Sequence, residues 1–451
     1  MKKIILLLCF ITFNTQAQDF LVENATGQPD ANTGISSISI VEYNVTWLNM
    51  SCGTTNCTPI RRFSKTTDGG ISWQTGVVNL GANSTNLRIG NISGVSANEA
   101  YAAVTSAAVA TLGGIWKTSD EGATWLRQDT AAFSDPASFP GEVHFWNTNQ
   151  GVAIGDATNG YFEIYVTSNG GNLWTRVASS PALIPIDSGE YLVTNKFTVT
   201  GNTIWAMTYY GRILKSTDFG MNWTISQSPI TSFFADFGYF TADLAFTNQN
   251  YGLLQTNDFE LYSTNDGGTT WNNVDYSGVS RALGISAIPD IPDVYIAVGE
   301  DLNSVRGSSY TIDGGLNWVN INDNPDLSYV NGEIVKMYDS HTGFASGYSI
   351  TPAVSGIFKW DMINCICIGL SDFSKNKSII ASPNPTLGRM NISGTNITEI
   401  KVFDLLGKQM LISQYQEVSN ATVNLESLED GIYFLSVSNK KGTSTIKVVK
   451  Q

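Results

Sequence analysis

The chain has 451 residues, of which 42% are hydrophobic and 14% charged, with a formal net charge of -14. This is enough apolar content for a buried core and enough length for two or three domains. The acidity argues against a nucleic-acid footprint, which needs clustered positive charge. Low charge beside abundant Gly, Ser, Thr and Asn fits a rigid extracellular β-protein better than a helical cytosolic enzyme.

The amino end reads MKKIILLLCFITFNTQAQ. Lys2 and Lys3 precede an apolar run, Ile4 to Phe13, and a small-x-small step follows at Thr15-Gln16-Ala17. The pattern predicts a secretory signal peptide over 1–17. The run is too short to cross a bilayer, and no later segment reads as transmembrane. Four cysteines then remain, Cys52, Cys57, Cys365 and Cys367. In an exported chain they are disulfide candidates with three possible pairings. Cys52 and Cys57 bracket a short loop that suits a local bridge, whereas a Cys365–Cys367 ring would be strained. No metal site is expected, because His144 and His341 have no ligand spacing, and no cofactor motif is present.

One phrase recurs six times: TTDGGISW, TSDEGATW, TSNGGNLW, STDFGMNW, TNDGGTTW and TIDGGLNW. It places Asp68 before Trp73, Asp120 before Trp125, Asn169 before Trp174, Asp218 before Trp223, Asp266 before Trp271 and Asp313 before Trp318. The tryptophans are 52, 49, 49, 48 and 47 residues apart. A period near fifty with strand-like content predicts a β-propeller, one four-stranded blade per repeat. Each unit shows an alternating first strand (GEVHFWN, TADLAF), a small-residue second strand (GVAIG, YIAVG), a third entering the phrase and a fourth starting at the tryptophan. Within the phrase, Ser/Thr and Asp can bond their own turn. The glycines allow positive φ, and the tryptophan buries a large ring between sheets.

The pattern Ser/Thr-x-Asp-x-Gly-x-x-Trp resembles the Asp-box, or bacterial neuraminidase (BNR) repeat, of sialidase-like propellers. The resemblance implies boxes on the outer part of the blades, away from the central ligand face. It identifies a scaffold and leaves the activity open. A seventh, degenerate unit spans Ile334 to Asp361 without a box. Its outer strand is either Asn364–Leu370 or the amino-terminal stretch Asp19–Asn24, which would close the ring. The expected fold is therefore all-β: a seven-bladed propeller over 18–369, six Asp-box blades and one degenerate, then an Ig-like β-sandwich.

Composition shifts after residue 370. A polar linker, 370–381, leads to a compact alternating unit over 382–451. The unit resembles the C-terminal sorting domain of type IX secretion cargo in Bacteroidota. The matching residues are Pro383, Asn384, Pro385 and Gly388, then Asp404 with Gly407 and Lys408, then Gly431 and Tyr433 after Leu428, and Lys447. The resemblance implies the type IX translocon and sorting peptidase as partners, and delivery across the outer membrane to the surface or medium. From residue 378 onward the chain has seven basic and six acidic groups, so the acidity belongs to the propeller.

For chemistry, a sialidase would need an arginine triad for a carboxylate, and PIRRF at Pro59–Phe63 matches that family's Phe-Arg-Ile-Pro element only faintly. A xyloglucanase-type glycoside hydrolase would need two carboxylates across the channel, for which Glu142, Asp243 and Glu333 are the candidates. Arg88, His144, Lys196, Arg281 and Lys336 also fall near first strands and are candidate ligand contacts. The aromatic stretch Ser232–Phe240 adds Phe237 and Tyr239, either as stacking groups or as core between blades. Short second strands also make the chain similar to photosystem II assembly factor-type propellers, which bind without catalysis. The expected function is an exported binding protein for carbohydrate or protein, with glycoside hydrolysis as the alternative.

Overall fold

The computed structural model describes residues 22–450, apart from 29–31, 53–59, 83, 85, 107–112, 136–137, 232–233, 236–237, 240–241, 290, 324–333, 350–355, 361–379, 384–385, 404–408, 430 and 440–441. The signal segment, Cys57, Cys365, Cys367, Glu333, Phe237, Asn384, Pro385, Asp404, Gly407 and Lys408 lie outside the described residues. Cys52 ends a strand and is disulfide-bonded. The chain divides into two compact units, Met1–Asp361 and Met362–Gln451. Among the described residues the helical content is a single 3-10 turn at Pro181–Leu183.

Among the described residues the first unit holds seven sheets built on four antiparallel strands, and one two-stranded hairpin. The innermost strands are Thr33–Glu42, Leu87–Gly94, Pro140–Phe145, Leu192–Thr200, Ala242–Phe246, Ala282–Ala287 and Val335–Met337. Each packs against the next, and the seventh returns to the first, so they form a closed ring. The seventh sheet takes its outer strand from the amino end: Val22–Ala25 pairs antiparallel with Gly356–Lys359. Of the two closures open to the sequence, the ring uses this one. The Asn364–Leu370 stretch lies outside the described residues.

The boxes form the turns between third and fourth strands. Thr66 donates to Asp68 Oδ1 at 2.8 Å and accepts the Gly70 N–H at 2.8 Å. Asp68 accepts the backbone N–H of Ser72 at 2.9 Å and its hydroxyl at 2.5 Å. The same hydroxyl-to-acceptor bond recurs in the other five copies at 2.8–3.0 Å. These bonds hold the carboxyls of Asp68, Asp120, Asp218, Asp266 and Asp313 below their ordinary value. At Asp68 the Ser72 hydroxyl is the largest cause. At Asp266 burial opposes the shift, but the bonds from Thr270 outweigh it and bring the carboxyl to about 2.

The third copy shows how closely the pieces are matched. Wherever the box has Asp, the residue four positions on donates to its second oxygen: Ser72, Thr124, Asn222, Thr270 and Asn317. Where the box has Asn169, that position is Leu173, whose backbone N–H bonds Asn169 Oδ1 at 2.9 Å but which has no side-chain donor to offer.

Each box also docks onto the turn between the first and second strands of its own sheet. The N–H of Gly69, Glu121, Gly170, Phe219, Gly267 and Gly314 bonds the carbonyl of Asn44, Asn98, Asn149, Asn202, Asn250 and Asp293 at 2.8–3.2 Å. These six donors all have φ between 61° and 75°, and the glycine that follows is left-handed too. The positive φ favours Gly at that second position in all six copies, and at five of them a side chain would also crowd the preceding sheet, Gly268 being the exception. A Cβ on Gly122 would lie 2.2 Å from Phe63, and one on Gly220 2.7 Å from Val152.

The second unit is a small β-sandwich of five strands. Arg389–Phe403 serves both layers, with a register break between Ser393 and Ile397. Its core includes Ile392, Ile400, Val402, Leu425, Leu435 and Val448. Two of the described motif residues, Gly388 and Tyr433, make structural contacts. Tyr433 donates to the Glu429 carbonyl at 2.8 Å, as in a tyrosine corner. Gly388 has φ 140°, and its carbonyl accepts the Leu425 N–H at 2.6 Å. Pro383 is exposed, Gly431 opens the strand that carries Tyr433, and Lys447 pairs with Phe434.

Asp313→Asn is expected to cost about 1 kcal/mol in urea unfolding, since an amide then faces the Asn317 donor. Adding Asn317→Leu, which reproduces the third copy, should recover part of that loss; strict additivity of the two changes would refute the matching. Removing residues 22–25 is expected to expose the edge of Gly356–Lys359, lowering the melting temperature and producing soluble oligomers on size exclusion.

Candidate functional site

Neighbouring innermost strands belong to separate sheets, and side-chain hydrogen bonds join them. Ser37 and Ser39 of the first sheet accept the N–H groups of Ile92 and Gly94 at 3.2 and 2.9 Å. Asn91 exchanges two 2.8 Å bonds with Val143, and Ser93 accepts the Phe145 N–H at 3.0 Å. Thr200 donates to the Phe246 carbonyl at 2.8 Å, and Ser286 accepts the Met337 N–H at 3.1 Å. None of these residues was singled out by sequence reasoning. Their signal was the Ile-Ser step repeated at 38–39, 92–93 and 285–286 on inner strands.

The first four inner strands also carry register breaks, between Ile35 and Ser37, Ile89 and Ile92, Pro140 and Glu142, and Leu192 and Phe197. The inner strands of the fifth and sixth sheets pair without a break. Such bulges re-aim side chains. Asn195, at φ 63°, turns its N–H onto Glu142 Oε1 and its amide onto the Gly90 carbonyl at 2.9 Å.

The ring encloses a cavity of about 500 Å³. It runs from Ser36, Asn91 and Asn195 to the ends of the inner strands at Ile40, Gly201 and Tyr338. It therefore opens on the face of the first-to-second-strand turns. His144 and Lys336 line it; among the described residues no carboxylate does. Its volume falls within the range of small-molecule sites.

Five of the residues expected from sequence converge around this channel. Lys196 Nζ is 3.5 Å from Asp243 Oδ2, with each side chain 14% exposed. Lys336 Nζ lies 3.5 Å from the Phe197 carbonyl and 5.9 Å from the centre of its ring. Burial lowers the Lys336 ammonium, against the pull of Asp243 and Glu142 and with the push of Lys196. His144 packs edge-on to Trp146 at 4.9 Å, and burial, then Lys336, hold it down at about 3. It is neutral at physiological pH. Glu142 is buried, and burial pushes its carboxyl well above the ordinary range despite the Asn195 N–H and Lys336. Its Oε2 has no hydrogen-bond partner among the described residues.

The other candidates lie elsewhere. Arg281 is not a channel contact. Its side chain is 1% exposed and turns back into the sixth sheet, 2.6 Å from Asp323, 3.5 Å from Asp301 and 2.9 Å from Asn320. Arg88 is exposed at the start of the second inner strand and does not line the cavity. Arg62 lies on the third strand of the first sheet, beside its outer strand. Tyr239 pairs with Phe234 in the separate hairpin.

Glu142→Gln is expected to stabilise the chain increasingly from pH 4 to pH 8. A carboxyl raised in the folded state costs stability once pH exceeds its unfolded value, and the amide does not titrate. A melting-temperature difference independent of pH would contradict the burial argument.

No curated protein matches the chain. Among solved structures, YCF48 from Cyanidioschyzon merolae is similar at 18% identity, TM-score 0.49, over 73% of this chain and 96% of that one. YCF48 bound to D1 peptide is similar at 15% identity, TM-score 0.47, over 74% and 95%. An ancestral GH74 enzyme is similar at 12% identity, TM-score 0.45, over 94% and 63%. Residues 382–451 match the secretion system C-terminal sorting domain. The chain is thus an all-β propeller protein that carries the sorting tail of type IX secretion, bound for the cell surface or the extracellular space.

Proposed function

We propose that the chain is an exported binding protein. Residues 382–451 act as its sorting signal, 370–381 as a linker, and the propeller over 18–369 takes a ligand in its channel. The observation that carries this is the cavity of about 500 Å³ with hydroxyls, amides, one imidazole and one lysine on its wall. It offers hydrogen bonds and apolar surface for a sugar or a peptide segment, and among the described residues no carboxylate lines it.

The hydrolase alternative is less well supported. Glycoside cleavage needs two carboxyl groups facing the scissile bond. Of the three candidates, Asp243 is ion-paired to Lys196, Glu142 is tied by Asn195, neither lines the cavity, and Glu333 lies outside the described residues.

The test uses the secreted full chain on glycan and peptide arrays, with reducing ends assayed on the same glycans. Binding is expected without new reducing ends. Sugar release that disappears in both Glu142→Gln and Asp243→Asn would overturn the proposal.

A further inference from the structure

We infer that the channel is closed by a floor near the beginnings of its inner strands, and that it therefore receives the end of an uncharged sugar chain and not the chain's middle. This rests on the proposed binding function and names the ligand class of the same site.

The floor is built from contacts that cross the ring. Lys336 belongs to the seventh sheet, yet its Nζ lies 3.5 Å from the carbonyl of Phe197 in the fourth. In a ring of seven, those two sheets stand as far apart as any two can. The lysine side chain is thus a bar from one side of the channel to the other. Asn195, also of the fourth sheet, reaches past the third to the Gly90 carbonyl of the second at 2.9 Å. Gly90 and Gly141 themselves come so close that a Cβ on Gly90 would lie 2.5 Å from the Gly141 carbonyl oxygen. Lys196 and Asp243 tie the fourth sheet to the fifth at 3.5 Å.

The cavity stops at this layer. It is lined by the later parts of the inner strands, and by no residue of 87–90, 140–142, 192–194, 242–245 or 282–284. A polymer entering from the open face has no exit past Lys336 and Asn195, so only its terminal unit can reach them.

The polar groups favour a sugar over a peptide end. Ser37 and Ser93 each accept a backbone N–H and keep a hydrogen to donate into the cavity they line. Asn195 lines it too, and its Oδ1 has no hydrogen-bond partner among the described residues. Sugar hydroxyls donate and accept, and so meet both needs. A peptide end brings an ammonium or a carboxylate, and the floor has no spare charge for either. Lys196 is paired with Asp243. The burial that favours the uncharged Glu142 also favours the uncharged Lys336, so this second pair balances whether both are ionised or neither is. A charged chain end would be buried there without a counter-charge.

The test screens the full chain on an array of neutral glycans, each tethered by its reducing end, beside charged glycans and peptides. At least one neutral glycan should bind. A bulky acetal cap on the terminal sugar of that glycan should weaken binding about tenfold or more in calorimetric titration, whereas added sugars on the reducing side should change it by about twofold or less. Lys336→Ala, which removes the bar, should shrink the capping loss to a few-fold, while Lys336→Met, which keeps an aliphatic bar, should retain it. Melting curves check the fold of each variant, and the comparison of capped and free chains on the native protein decides the point even where a variant does not fold. Equal binding of capped and free chains, or a capping loss unchanged in folded Lys336→Ala, would overturn the inference. Peptides or charged glycans bound in place of every neutral one would overturn it too, yet leave the binding function standing. Silence of every glycan and peptide would overturn both readings.

Discussion

Seven sheets can close a ring only if their innermost strands are held together where they converge, and short side-chain oxygens do this here. Serine is suited to the position. Its hydroxyl reaches the next strand's N–H while leaving the channel open, and it satisfies a backbone donor that would otherwise be buried unpaired. Ser37, Ser39, Ser93 and Ser286 repeat that contact on three strands. The abundant small polar residues thus supply part of the material of the ring.

At the periphery the boxes add a second lock, and it works from both sides. Behind each box the glycine and tryptophan press on the preceding sheet, as with Trp125 on Phe63 at 6.0 Å and Trp73 on Phe344 of the seventh sheet at 5.8 Å. Ahead of it, lysines just before three of the boxes lie over an aromatic ring and reach the next sheet. Lys65 lies over Trp47 and bonds the Ala97 carbonyl; Lys117 lies over Tyr101 and bonds the Gly170 carbonyl; Lys215 lies over Trp205 and bonds the Gln249 carbonyl. A cation over an aromatic face, desolvated between sheets, is a stronger contact than the same pair in water.

The scaffold was legible because the box is local chemistry, complete within eight residues and repeated. The tail was legible for the same reason, since Gly388 and Tyr433 serve turns and corners that few other residues can make. The seventh sheet was only half legible, because two distant segments both alternate and nothing local chooses between them. The site was legible to the level of the right strands. His144, Lys196, Asp243, Lys336 and Glu142 all gather at the channel, as period-two alternation suggests. Alternation fails at a bulge, however, and the first four inner strands are bulged at this level. That is how Glu142 comes to lie behind the wall. Arg281 was misplaced for a different reason: its partners Asp301 and Asp323 come from a later turn and the end of the last strand of its own sheet, and no spacing rule announces them.

The pairing of Val22 with Lys359 gives the chain an order of events. When a polypeptide emerges amino end first, its opening strand has no partner until nearly all of the first unit has followed. Until then both margins of the growing arc are bare strand edges, and contacts so distant along the chain form slowly. The sorting tail begins soon after the segment that completes the circle, so it emerges only when every piece of the ring is present. A product truncated before Gly356 would lack the closing strand's partner and the sorting tail together.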